Sequence, residues 1–152
     1  MSKTIALQIA FALMLGLNSL SLSAQGTLSD PHNSENGIRF SQGGWKAILA
    51  KAKQEKKLVF VDAYAVWCGP CRMMANNTFT QKEVGDYFNS NFVNYKFDME
   101  QGEGPSFAST YGVRAYPSLF FIDGEGKVVH QDLGYKTPEQ LITTGKAAQS
   151  KR

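Results

Sequence analysis

Two cysteines constrain this chain more than any other feature. Cys68 and Cys71, in Trp67-Cys68-Gly69-Pro70-Cys71-Arg72, are the only ones in its 152 residues. They follow directly on LVFVDAYAV, residues 58–66, an apolar run with the composition of a central strand covered on both faces. Beyond them, Arg72 to Asn89 reads as helical, so the pair sits where a strand hands over to a helix. A sulfur at a helix N-terminus faces unpaired backbone N–H groups and the positive end of the dipole. Cys68 is therefore expected to ionise below the free-thiol value of about 8.5. Cys71, one turn later on the same face, lies within disulfide reach and is expected to be the more buried of the two. Pro70 falls in the first turn, where its missing N–H costs nothing. Such a pair suits a dithiol that shuttles between reduced and disulfide states.

The competing readings of Cys-x-x-Cys are half of a zinc site or a structural disulfide. Zinc needs further ligands, and the only histidines, His32 and His130, lie at unrelated distances in the sequence. A structural disulfide closing so small a loop would restrict the unfolded chain little. Within the apolar run, Asp62 is the anomaly: it is either an edge residue or a buried acid with a raised pKa.

At these residues a family is recognisable. WCGPC is the active-site motif of thioredoxins, and the chain resembles that family over roughly Gly44 to Ala147. The resemblance implies a thioredoxin-like α/β fold, a central mixed sheet flanked by helices on both faces, with Cys68 and Cys71 as the redox pair. It also favours the buried reading of Asp62, which matches the aspartate that helps deprotonate the second cysteine, usually through water. Lys96, in Tyr95-Lys96-Phe97-Asp98, matches the companion lysine. A proline entering the apolar strand Ser118–Ile122 needs an explanation, and Pro117 matches the family's cis-proline. There the backbone of the preceding residue, here Tyr116, pairs with the substrate chain like an added strand. Trp67, Gly69 and Pro70 of the motif are the other expected substrate contacts. MMANNTFTQKEV lacks the proline of cytosolic thioredoxins about eight residues after the first cysteine. It looks instead like the branch containing the periplasmic thioredoxin-like domain of the membrane reductant DsbD.

The first residues differ in kind. Lys3 begins them, Ile5 to Leu17 is apolar apart from Gln8, and Asn18 to Ala24 is small and polar, the layout of a cleaved signal peptide over 1–24. The apolar core of about thirteen residues is short of the twenty or so needed to span a bilayer. Residues 25–39, rich in Ser, Asn, Gly and Asp, read as a flexible leader with partial order at Ile38 and Phe40, and 40–149 as the domain. Within it we expect helices over Ser41–Lys57 and Ser106–Tyr111, and a strand over Asn91–Met99. A hairpin turn at Asp123–Gly126 should lead into Lys127–His130, with His130 at the surface. The last helix should begin with a Thr137 cap and Pro138 at N1. Asn76-Asn77-Thr78 should interrupt the helix after the motif, with Thr80 and Glu83 forming a capping box for the next turn. Met73 and Met74 read as helix packing.

A net charge of +3 with dispersed lysines is too weak to suggest nucleic acid, and no such partner is expected. No metal or organic cofactor is implied, and a monomer is expected. The reading is an exported, periplasmic thiol–disulfide oxidoreductase that reduces protein disulfides and is recharged by a membrane electron donor of the DsbD type. Gly69-Pro70 adds no charge between the cysteines. The Cys68 thiol is then expected to titrate near thioredoxin's value of about 7 rather than DsbA's of about 3.5, with a potential of roughly −230 to −270 mV. The alternatives are an oxidase or isomerase of the same fold, or a non-catalytic metal-binding or chaperone-like module.

Overall fold

The computed structural model describes residues 36–152. The expected signal segment and most of the leader, His32 included, lie outside the described residues. The core is a mixed sheet in the order β2-β1-β3-β4. Strand β1 is Leu58–Tyr64, β2 Phe92–Asp98, β3 Ser118–Ile122 and β4 Val128–Leu133. β1 lies parallel to β2 and antiparallel to β3, and β4 runs antiparallel to β3 at the edge.

The lack of polar alternation along β1, Asp62 apart, follows from this central place, because both of its faces are covered. Leu58 and Phe60 join Phe121, Phe88, Phe92 and Leu141 in one core layer. Val59, Val61 and Ala63 join Phe120, Ile48 and Phe107 in the other. The first layer lies under α3 (Lys82–Asn91) and α5 (Pro138–Gln149), and the second under α1 (Trp45–Glu55) and α4 (Gly104–Tyr111). By strand parity Asp62 shares the face of Leu58 and Phe60. Ile38 and Phe40 are buried in that same layer, so the chain just upstream of α1 belongs to the packed body.

The expected helix Ser41–Lys57 is shorter at both ends. Its N-terminal cap does not come from a neighbouring side chain: Glu103 Oε2 accepts the Trp45 N–H at 2.8 Å, across 58 residues of sequence. At the other end Lys56 turns left-handed with φ 52°, and the Lys57 N–H donates to Ala52 O. The hairpin strand is longer than Lys127–His130. His130 is half-buried rather than at the surface, its ring stacked on Phe121 at 5.9 Å. The last helix starts as expected, with Thr137 and Gln140 completing a reciprocal capping box.

After the motif comes the short helix α2, Gly69–Met73, which widens into a π-helical turn over Met74–Thr78. The expected interruption at Asn76–Thr78 is therefore a broadened turn, closed by the Phe79 N–H on Met74 O at 2.9 Å. The expected Thr80 cap does not form. The wide turn carries Thr80 back over the chain, and its hydroxyl donates to Asn76 O, leaving Gln81 to begin α3 without a side-chain cap.

Candidate active site

β1 ends at Tyr64, and one tight turn brings the chain to the cysteines, with the Cys68 N–H donating to Ala65 O at 3.0 Å. Cys68 is the N-cap of α2. Its Sγ accepts the Cys71 N–H at 3.2 Å, so the sulfur occupies the position where a backbone donor stabilises developing negative charge. The two cysteines form a disulfide with Cα atoms 5.3 Å apart. Cys71 is not the more buried of the pair, since each residue is 4% exposed while the bond is closed. What separates them is the side each faces. Cys68 lines an open groove of about 480 Å³ with Trp67, Gly69, Pro70, Arg114 and Tyr116. Cys71 lines a separate, partly open cavity of about 260 Å³ with Asp62, Tyr64, Arg72, Phe40 and Lys96.

Asp62 is 5% exposed, and its Oδ1 has no hydrogen-bond partner. Burial pushes its carboxyl from the ordinary 3.8 to about 7, and the positive charge of Lys96 opposes that rise. Asp62 and Lys96 are register partners on the adjacent parallel strands β1 and β2. The sheet thus places an acid able to gain or lose a proton near neutral pH in the cavity that Cys71 lines.

On the groove side, the Tyr116–Pro117 peptide is cis and Pro117 is buried. The β1–β3 ladder stops at Ala63 and Ser118, so Tyr116 lies just beyond the sheet, packed with Tyr64 against the cysteine pair. Trp67 is 62% exposed, its indole N–H donating to Glu100 Oε1 at 2.8 Å and its ring 5.7 Å from that of Tyr116. Val66 and Met73, which flank the motif in sequence, are exposed as well. Met73 is thus no packing residue, whereas Met74 is fully buried. Sequence reasoning passed over Glu100, which carries no local signal in its polar loop, and expected order at Phe40 without placing that ring at the site. Among the described residues no cluster of three or more His, Cys, Asp or Glu side chains could hold a metal.

A strand-to-helix disulfide on a mixed four-stranded sheet, beside a cis-proline loop, defines a redox protein of the thioredoxin fold. The chain belongs to the thioredoxin-like domain family, which matches residues 45–149. It is 40% identical to a candidate disulphide-isomerase from Bacteroides thetaiotaomicron, with a TM-score of 0.68 over 77% of this chain and 97% of that one. The reduced C-terminal domain of Neisseria meningitidis DsbD is 26% identical, with a TM-score of 0.56 over 70% of this chain and 93% of that domain. Thiol-disulfide oxidoreductase ResA of Bacillus thuringiensis is 36% identical over 103 residues, 56% of this chain and 60% of that protein. The chain is thus a thioredoxin-like domain with a Cys-x-x-Cys disulfide, and its homologues are thiol–disulfide oxidoreductases.

Proposed function

We propose that the protein is an exported reductase of protein disulfides, with Cys68 as nucleophile and Cys71 as resolving thiol. The observation that carries this reading is the division of the pair between two spaces: Cys68 on the open groove, Cys71 on the cavity of Asp62. In the reduced protein the Cys68 thiolate, stabilised at the N-cap, attacks one sulfur of a substrate disulfide. That S–S bond breaks, the departing thiolate takes a proton from solvent, and a Cys68–substrate mixed disulfide forms. Asp62 then accepts the Cys71 proton, directly or through one water, and the Cys71 thiolate attacks Cys68 Sγ. The second substrate sulfur leaves as thiolate, and the Cys68–Cys71 bond closes. Two electrons have passed to the substrate, and the Asp62 proton returns to solvent or to the leaving thiolate.

Tyr116 and cis-Pro117 support an extended substrate segment along the groove, where the Tyr116 backbone lies beyond the last ladder pair. Trp67, Gly69 and Pro70 form the wall next to the reacting sulfur. Lys96 tempers the proton affinity of Asp62. The direction of electron flow rests on Gly69-Pro70, which supplies no charge to deepen the stabilisation of the Cys68 thiolate. Export rests on the layout of residues 1–24, and the DsbD-type donor on the likeness to that protein's C-terminal domain.

Equilibration of the Cys68–Cys71 pair against glutathione buffers tests the direction. A potential of roughly −230 to −270 mV is expected, and one near −120 mV would make the protein an oxidant. Mass spectrometry of the protein recovered from its host tests export, with a mature chain beginning at or next to Gln25 expected.

A further inference from the structure

The segment 37–41, upstream of the matched domain, is fastened to the body at several points. The Ile38 N–H donates to Phe79 O and the Ser41 N–H to Asn94 O, each at 2.8 Å. The Asn89 amide bridges it further, with Oδ1 accepting the Arg39 N–H at 2.8 Å and Nδ2 donating to Gly37 O at 3.0 Å. Gly85 is matched to this strap, because a Cβ there would meet Asn36 O at 2.4 Å. The strap therefore has a dedicated seat between α3 and β2. What it delivers is the Phe40 ring, 9% exposed, at the wall of the Asp62–Cys71 cavity. The Lys96 ammonium lies over that ring, 5.6 Å from its centroid, within cation–π range.

We propose that Phe40 is a positioning residue for the redox site: the strap holds its ring under the Lys96 ammonium and so fixes the cation that sets the proton affinity of Asp62. This rests on the reading of Asp62 as the proton acceptor for Cys71, yet it can be tested without turnover. The side chains lining the cavity that carry or can carry charge are Lys96 on β2, Cys71 and Arg72 on α2, and Tyr64 and Asp62 on β1. While the disulfide is closed Cys71 does not titrate, Arg72 Nη1 is engaged with Val66 O, and the charge that acts on Asp62 is that of Lys96. Lys96 is then the cation able to bias Asp62, and Phe40 is the aromatic face beneath it.

The experiment is a carbon-13 NMR titration of the Asp62 carboxyl in the full, oxidised chain, for wild type, Phe40→Leu, Lys96→Met and the double variant. Leucine keeps the cavity wall apolar and removes only the π face. Phe40→Leu should raise the Asp62 midpoint by a few tenths of a unit, with about half a unit, the worth of a modest cation–π contact, as the ceiling. The same substitution should do nothing in the Lys96→Met background. Phe40→Trp should restore the wild-type midpoint. An equal effect of Phe40→Leu with and without Lys96 would show that the ring acts only by excluding water, and no effect in either would remove it from the site. Should Phe40→Leu not fold, wild type alone decides. The Lys96 ε-methylene protons must be shifted upfield and show cross-relaxation with the Phe40 ring, and their absence overturns the proposal. None of these readouts requires the chain to reduce a substrate, so a failure here leaves the reductase assignment standing, and the reverse.

Discussion

Asp62→Asn should gain stability relative to wild type as pH rises from about 4 to about 7. In the folded chain the carboxyl titrates near 7, against an ordinary 3.8, chiefly because burial disfavours the anion. Between those values the folded state holds a proton that the unfolded state has released. Stability therefore falls as pH rises through this window. It is fully present below about 4 and lost above about 7. At 1.36 kcal/mol per pH unit, the whole window is worth on the order of 4 kcal/mol. Asparagine keeps the shape and cannot ionise, so it removes the slope. The assay is urea unfolding of wild type and Asp62→Asn, disulfide intact, from pH 4 to 8. Wild-type stability should fall relative to the variant by about 1.4 kcal/mol per pH unit through the middle of the range. The Asn amide loses solvation of its own, which offsets the curves by a constant but does not tilt them. A difference between the two proteins that is flat with pH would refute the reasoning and place the Asp62 midpoint outside this window.

Cys68→Ser should abolish disulfide exchange while leaving the melting temperature of the reduced protein unchanged, as insulin reduction and calorimetry would read; full activity in that variant would move the nucleophile elsewhere. Cys71→Ser should accumulate mixed disulfides through Cys68, visible on non-reducing gels and identifiable by mass spectrometry. Glu103→Gln keeps an acceptor for the Trp45 N–H, whereas Glu103→Ala should cost about 1 kcal/mol by uncapping α1, measured by denaturant unfolding. Thr137→Ala should cost a similar amount through the capping box of α5, and a loss below a few tenths would show that Pro138 alone sets that helix start.

What residues 58–74 could reveal, they revealed through local chemistry. An apolar run with no alternation means a strand buried on both faces, and the Cys-Gly-Pro-Cys that follows has one geometry in which its parts are useful. Asp62 stood out for the same reason, since a carboxylate in such a run must be solvated or special. Thr137-Pro138 was legible because a cap and its partner lie within four residues of each other. The Thr80–Glu83 pattern looked equally good and did not form, because a π-helical turn upstream redirected the hydroxyl to Asn76. The extra residue in that turn leaves no mark in local propensity.

Sequence by itself determined the class of protein: a strand, a redox pair at a helix start, an out-of-place acid six residues ahead, a proline that had to be placed. These are statements about neighbours along the chain, where side-chain type and spacing suffice. The tertiary structure alone decided the rest, because it depends on groups that meet across long stretches of chain. Glu103 caps a helix 58 residues before it, and Glu100 fixes Trp67 from 33 residues away. Phe40 reaches the proton cavity from the margin of a leader whose composition reads as flexible. Whether a polar group ends up buried, and beside which charge, is set by how the sheet brings β1, β2 and α2 together, and no local pattern carries that information.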